Sequence, residues 1–104
     1  MSEISVKALK EKLDNNESIQ ILDVREPHEY LAGNLGGVLI PLQELSHRLE
    51  ELDKETTFAV LCHSGVRSAH ATLFLKKSGF KDVFNITGGI VAWALEVDSR
   101  LATG

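Results

Sequence analysis

Short apolar segments alternate with segments of helical spacing along this chain of 104 residues. Residues 19–24, 57–61 and 83–86 are rich in β-branched and large apolar side chains, which is typical of buried strands. Ile4 and residues 38–41 are candidates for two shorter strands. Because parallel neighbours in a sheet need long crossover connections, this alternation predicts an α/β fold. We expect a central, mostly parallel sheet of about five strands with helices on both faces.

Helices are predicted in the segments between these strands. Ser5 is expected to cap a first helix, and Pro27 is well suited to the first turn of a short second one. Four leucines, at positions 42, 45, 49 and 52, step by three and four residues, which predicts one helix lying on an apolar surface. Further helices are predicted over residues 68–77 and over residues 90–95.

Length and composition limit the class of protein. We expect one domain with a single core over residues 1–104, and 43% hydrophobic with 25% charged residues is ordinary for a globular chain. A net charge of −4 argues against a nucleic-acid partner, and no apolar stretch approaches the roughly 20 residues of a membrane span. The N-terminal segment lacks the apolar core of a signal peptide. The single cysteine cannot form an internal disulfide, so we expect a cytoplasmic protein in a reducing compartment.

The single cysteine, Cys62, directly follows the predicted strand 57–61 and precedes a short polar loop that ends at Arg67. Backbone N–H groups of such a loop can converge on one point, and the dipole of the following helix adds partial positive charge there. Both effects favour the thiolate, which is the reactive form, and the permanent cation of Arg67 adds to them. The alternative is a free cysteine that behaves as a small buried hydrophobe. Cys62 ends its apolar run, which favours the reactive interpretation.

Asp23 lies at the end of another predicted strand, on the edge of a parallel sheet where ligands bind. We interpret Asp23 and Arg25 as structural supports at this edge rather than as catalytic groups. The histidines outside the loop, at positions 28, 47 and 70, do not cluster as metal ligands would, so no metal site is predicted.

Four segments in order along the chain resemble the rhodanese family. They are residues 22–30 (LDVREPHEY), 33–41 (GNLGGVLIP), 62–67 (CHSGVR) and 88–93 (GGIVAW). Together they cover nearly the whole chain, and their order and spacing are more specific than a lone cysteine-to-arginine loop. The resemblance implies a rhodanese-like α/β domain.

The resemblance also implies a sulfurtransferase. Cys62 would take sulfane sulfur from thiosulfate or a persulfide, and a thiophilic acceptor such as cyanide or a thiol would then remove it. Backbone donors from Ser64 to Ser68 would stabilise the charged sulfur, and Gly65 would let the loop curl tightly. No metal or organic cofactor is implied, and a sulfur-carrier protein is a possible partner. The implied active-site loop comprises His63, Ser64, Gly65, Val66, Arg67 and Ser68.

Other functions are compatible with parts of this pattern. Related phosphatases use a loop one residue longer than the six residues from Cys62 to Arg67, and they commonly have His where this chain has Leu61. A non-catalytic binding module and a persulfide sensor are further alternatives. The presence of Cys62, Gly65 and Arg67 together favours the enzyme over the binding module.

Asn34 and the charge of the loop around Cys62 are two features in which this chain departs from the family pattern. Asn34 stands where the family usually has His, and we expect altered packing there rather than lost chemistry. Arg67 either binds the anionic end of the donor or pairs with Glu29 or Asp23. The loop carries few cations, so we predict that thiosulfate, a dianion, is a poor donor. A persulfide from a partner protein or a small thiol is an equally open candidate for the donor.

Overall fold

The computed structural model describes residues 2–103 of the chain. Its core is a five-stranded sheet in which every pair of neighbouring strands is parallel, so the predicted α/β architecture is confirmed. Met1 and Gly104, the two ends of the predicted domain, lie outside the described residues. In spatial order the strands are β1 (Glu3–Ile4), β5 (Asp82–Ile86), β4 (Thr57–Leu61), β2 (Gln20–Asp23) and β3 (Val38–Leu39).

Four α-helices connect and follow these strands. The first begins after Ser5, whose side chain accepts a hydrogen bond from the amide of Ala8 at 3.1 Å, so the predicted cap is confirmed. The second begins at Pro27, also as predicted. The helices are α1 (Val6–Asp14), α2 (Pro27–Ala32), α3 (Val66–Lys77) and α4 (Gly89–Glu96).

The prediction of one helix through the four leucines is wrong. The segment forms two 3₁₀ helices, Leu42–His47 and Leu49–Glu51, separated by Arg48 with φ −128° and ψ 19°. A 3₁₀ helix has three residues per turn, so Leu42 and Leu45 fall on one side of the first helix, whereas Leu49 begins the second and Leu52 directly follows it. The break at Arg48 absorbs the step of four, and all four leucines still face the core.

Side chains alternate between the two faces of the sheet, which gives two apolar layers. From β4, Ala59 and Leu61 pack with α1 and α4, whereas Phe58 and Val60 pack on the opposite face with α3 and the leucine segment. Cys62 continues the second set and lies on the α3 face.

Because all strands are parallel, their carboxyl ends meet at one edge of the sheet, and Cys62 lies at this edge directly after β4. Two cavities of about 440 Å³ each lie at the opposite edge, near Thr57 at the start of β4. Among residues 2–103, no helix has both the length and the apolar character to cross a bilayer.

Candidate active site

Cys62 is buried, yet its sulfur lies among polar groups. The residue is 1% exposed and its thiol is free. Its Sγ accepts a hydrogen bond from the backbone amide of Gly65 at 3.0 Å and lies 3.2 Å from the Oγ atom of Ser68. The sulfur therefore has one backbone donor and one hydroxyl in contact, and a cysteine that served only as a hydrophobic side chain would need neither.

Gly65 provides the turn that aims this amide at the sulfur. Its φ is 107°, in the left-handed region that residues with a Cβ rarely adopt, and it is the N-cap of α3. A Cβ at this position would also lie 3.3 Å from the amide nitrogen of Gly88. The turn at Gly65 therefore lets β4 pass into α3 within three residues of Cys62.

The loop is shorter than the sequence predicted, because α3 begins at Val66 rather than at Ser68. Val66, Arg67 and Ser68 form the first helical turn, and their amides donate to no backbone carbonyl within residues 2–103. In the same part of the chain, the Gly65 amide is the one backbone donor within hydrogen-bonding distance of Sγ. The backbone donors predicted from Ser64 to Ser68 therefore do not all hydrogen-bond the sulfur of Cys62 itself. The amides in the first turn of α3 have no backbone acceptor among the described residues and are available to a further atom.

Ser68 and Asn85 form a polar chain behind the sulfur. Ser68 is fully buried, and its hydroxyl donates to Oδ1 of Asn85 at 2.5 Å. The Nδ2 atom of Asn85 donates in turn to the carbonyl of Gly65 at 3.2 Å. Gly65 is the N-cap of α3, so Ser68 does not cap this helix.

Asn85 was not singled out by the sequence analysis. A signal was available, because it is a polar residue between the apolar residues Phe84 and Ile86 of strand β5, and it is only 5% exposed. A buried amide in a central strand needs partners for its oxygen and its nitrogen. Asn85 finds both beside Cys62.

Arg67 is held by Glu29 of α2. Its Nη1 and Nη2 atoms donate to the two carboxylate oxygens at 2.7 and 2.8 Å. The arginine side chain is 35% exposed and the glutamate side chain 13%. The hydrogen bonds from Arg67 lower the pKa of Glu29 from 4.5 to about 2, and those to Glu29 raise the pKa of Arg67. Of the two acidic partners considered for Arg67, the structure therefore selects Glu29 and not Asp23.

Asp23 and Arg25 form a second, fully buried pair. The Nε and Nη2 atoms of Arg25 donate to Oδ1 and Oδ2 of Asp23 at 2.9 and 2.8 Å. Arg25 also donates to the carbonyl of Gly33 at 2.8 Å and to that of Glu29 at 3.3 Å. These contacts tie the end of β2 to α2, the helix that carries the partner of Arg67.

The N-terminus of α4 holds the segment that follows β4. The amides of Ile90 and Val91 donate to the carbonyls of Cys62 and His63 at 2.9 and 3.2 Å. Gly89 makes this approach possible, because its φ is 60° and a Cβ there would overlap both carbonyl oxygens. The sequence predicted a helix over residues 90–95, and α4 begins one residue earlier, at Gly89. The sequence did not predict this contact.

The remaining residues of the loop face outward. Asn34, the residue that departs from the family pattern, makes its hydrogen bonds in another segment. His63 is half-buried, whereas Ser64 and Val66 are exposed. Asn34 accepts a hydrogen bond from the amide of Gly36 and donates to the carbonyl of Tyr30, so it shapes the connection from α2 to β3. Within residues 2–103, no three His, Cys, Asp or Glu side chains gather as metal ligands would.

Comparisons with known proteins agree with this architecture. The family model named Rhodanese-like domain matches residues 5–96 of this chain. The chain is 46% identical over 88% of its length to a Bacillus subtilis protein named "Putative sulfur carrier protein YrkF", of which it spans only 50%. It is 33% identical to a sulfurtransferase of Allochromatium vinosum, over 90% of this chain and 89% of the other. The crystal structure of a rhodanese-related protein from Thermoplasma volcanium has a TM-score of 0.86 and 33% identity, covering 93% of this chain and 94% of that one.

Proposed function

This chain belongs to the rhodanese-like domain family and has a role in sulfur transfer, and we propose that it carries the sulfur as a persulfide on Cys62. The observation that carries the proposal is the placement of the Cys62 sulfur. It receives the Gly65 amide at 3.0 Å and stands at the N-terminus of α3. Both groups stabilise negative charge on sulfur without any metal or organic group.

In the first half of the reaction, the thiolate of Cys62 attacks the outer sulfur of thiosulfate or of a persulfide. A bond forms between Sγ and that sulfur as the sulfur–sulfur bond of the donor breaks. The electron pair leaves with sulfite or with a thiolate. The transferred sulfur then carries the negative charge, and the amides of Val66, Arg67 and Ser68, which donate to no backbone carbonyl in the described part of the chain, are the donors that would stabilise it.

In the second half, a thiophilic acceptor attacks the outer sulfur. Cyanide would leave as thiocyanate, and a thiolate would leave as a persulfide, while the electron pair of the broken bond returns to Cys62. The Gly65 amide then stabilises the regenerated thiolate. Because sulfite or the donor thiolate leaves before the acceptor attacks the sulfur held on Cys62, the cycle predicts ping-pong kinetics.

The charge around the loop favours a persulfide over thiosulfate as donor. Both terminal nitrogens of Arg67 donate to Glu29, so the positive charge of this loop arginine is already neutralised. A singly charged persulfide needs less compensating charge than the thiosulfate dianion. The similarity to a protein named as a sulfur carrier supports a thiol-bearing protein as donor or acceptor. The free thiol of Cys62 supports a reducing compartment such as the cytoplasm.

Intact-mass measurement tests the proposal directly. The protein is incubated with thiosulfate or with glutathione persulfide, freed of the donor, and weighed before and after addition of cyanide. We expect a gain of one sulfur atom that cyanide removes, and no gain in Cys62→Ser. Ser46→Ala, a change at an exposed serine outside this loop, serves as the control and retains the gain. No gain with either donor identifies a binding module, and a sulfur that neither cyanide nor thiols can remove identifies a sensor.

A further inference from the structure

We propose that Asn85 is a positioning residue for sulfur transfer, which controls through Ser68 whether the Cys62 sulfur receives a hydroxyl hydrogen bond. The inference rests on the proposed role of Cys62. Asn85 does not hydrogen-bond the sulfur. Its side-chain amide joins Ser68 and Gly65, the two residues that lie within hydrogen-bonding contact of the sulfur in the described part of the chain.

The orientation of the Asn85 amide is determined by its partners. Its Nδ2 atom faces the carbonyl oxygen of Gly65, which can only accept a hydrogen bond. Exchanging the nitrogen and the oxygen would place two acceptors against each other in a buried site. Oδ1 must therefore face Ser68, where it is the acceptor for the hydroxyl at 2.5 Å.

Ser68 has one hydroxyl hydrogen and two neighbours that can accept it. When the hydrogen points to Asn85, the sulfur lies beside the lone pairs of Oγ at 3.2 Å. A thiol suits this arrangement, because its S–H can donate to Oγ. A thiolate does not, because it has no hydrogen and needs a donor.

Ionisation of Cys62 therefore creates a competition for the Ser68 hydrogen. If the hydroxyl turns to the thiolate, Oδ1 of Asn85 is left buried without a donor, which is unfavourable. If the hydroxyl stays on Asn85, the thiolate loses one of its hydrogen bonds. In either case Asn85 disfavours the thiolate, whereas a persulfide moves the charge to the outer sulfur and lets Ser68 remain on Asn85. We infer that Asn85 stabilises the sulfur-loaded state relative to the free thiolate.

The charged groups near Cys62 do not reach this pair. Arg67 on α3 faces the cysteine and is neutralised by Glu29 from α2, and Asp23 is paired with Arg25 at the end of β2. His63 is adjacent to Cys62 along the chain. In the described part of the chain, none of these side chains hydrogen-bonds Ser68 or Asn85. A change at Asn85 can therefore reach the thiolate through Ser68 or through the carbonyl of Gly65, and a Ser68→Ala background separates the two routes.

The rate of Cys62 alkylation by iodoacetamide, measured against pH, tests this route. Asn85→Leu has a similar size and removes both polar atoms. We expect its alkylation profile to move to lower pH by about one unit, a tenfold change in the thiolate equilibrium, because Ser68 is then free to donate to the sulfur. In a Ser68→Ala background the same change should give no downward shift, and Asn15→Leu, at an exposed asparagine, should leave the profile as it is. An equal downward shift in both backgrounds, or none in either, overturns the proposal.

A measurement on the unaltered protein covers the case in which Asn85→Leu does not fold. The ¹³Cγ chemical shift of Asn85 should change with pH at the midpoint of Cys62 alkylation, and it should stay constant in Cys62→Ala. A constant shift in the unaltered protein contradicts the competition for the hydroxyl hydrogen. Neither measurement needs a sulfur donor, so failure of the persulfide chemistry and failure of the Asn85 proposal give different results.

Discussion

Glu29 and Arg67, 38 positions apart in the chain, face each other with two parallel hydrogen bonds of 2.7 and 2.8 Å. The pair joins α2 to the first turn of α3, one residue before Ser68. A bidentate pair of this kind holds the guanidinium plane in one orientation. It also neutralises the arginine that ends the loop of Cys62, which lowers the positive charge available to an anionic sulfur donor.

The first prediction concerns donor charge. Glu29→Gln removes the negative charge beside Arg67, and the thiosulfate dianion should benefit more than a singly charged persulfide. We expect the KM for thiosulfate to fall by roughly three- to tenfold, with a smaller change for glutathione persulfide. Steady-state kinetics with the two donors measures the difference.

Glu44→Gln is the matched control for this change. Glu44 also pairs with an arginine, Arg48, but this pair makes no hydrogen bond to the loop of Cys62, so the change should leave both KM values as they are. An equal fall in KM for both donors would show that Glu29 acts on access to the site rather than on charge.

The second prediction concerns acid stability. The pKa of Glu29 is about 2 in the folded protein against an ordinary value of 4.5, because Arg67 favours the carboxylate. A depressed pKa contributes stability above pH 4.5, and that stability is lost as the pH falls towards 2. Urea unfolding at a series of pH values should show a shallower loss of free energy of unfolding for Glu29→Gln over this range. Identical slopes for the two proteins would mean that the pair does not favour the folded state.

The third prediction concerns the buried pair at the end of β2. Arg25→Met should lower the free energy of unfolding by about 3–5 kcal/mol, because it leaves the carboxylate of Asp23 buried without its partner. Adding Asp23→Leu should recover part of this loss, since neither charge then remains. Urea unfolding of the two variants measures both effects. A double variant less stable than Arg25→Met alone would show that the apolar pair does not fit this site.

Much of the fold could be predicted because it depends on local patterns. Alternating apolar segments located the strands, and Ser5 and Pro27 marked the starts of two helices. Leucine spacing was less informative, because steps of three and four fit one α-helix as well as two 3₁₀ helices with a break at Arg48. The start of α3 was predicted two residues late, since the left-handed turn at Gly65 ends the loop sooner than the residue types indicate.

The contacts within the site were harder to predict because they join distant parts of the chain. The role of Cys62 could be proposed from its position after a strand, and Glu29 was considered as a partner of Arg67. Asn85, however, reaches Ser68 across 17 positions. Strand periodicity describes only which face a residue occupies, and it cannot show which polar group lies opposite.

The last prediction concerns the turn at Gly65. Gly65→Ala would place a Cβ on a residue with φ 107° and 3.3 Å from the amide of Gly88, so the turn must shift and the amide must move away from Sγ. We expect a loss of about 1–2 kcal/mol in stability and at least a tenfold loss in the rate of persulfide formation. Gly36→Ala is the matched control, because Gly36 has φ 77° with open space around it, far along the chain from Cys62. It should cost similar stability and leave sulfur uptake unchanged, as measured by urea unfolding and by single-turnover mass spectrometry. Equal losses of sulfur uptake in the two variants would show that the Gly65 amide has no specific part in the reaction.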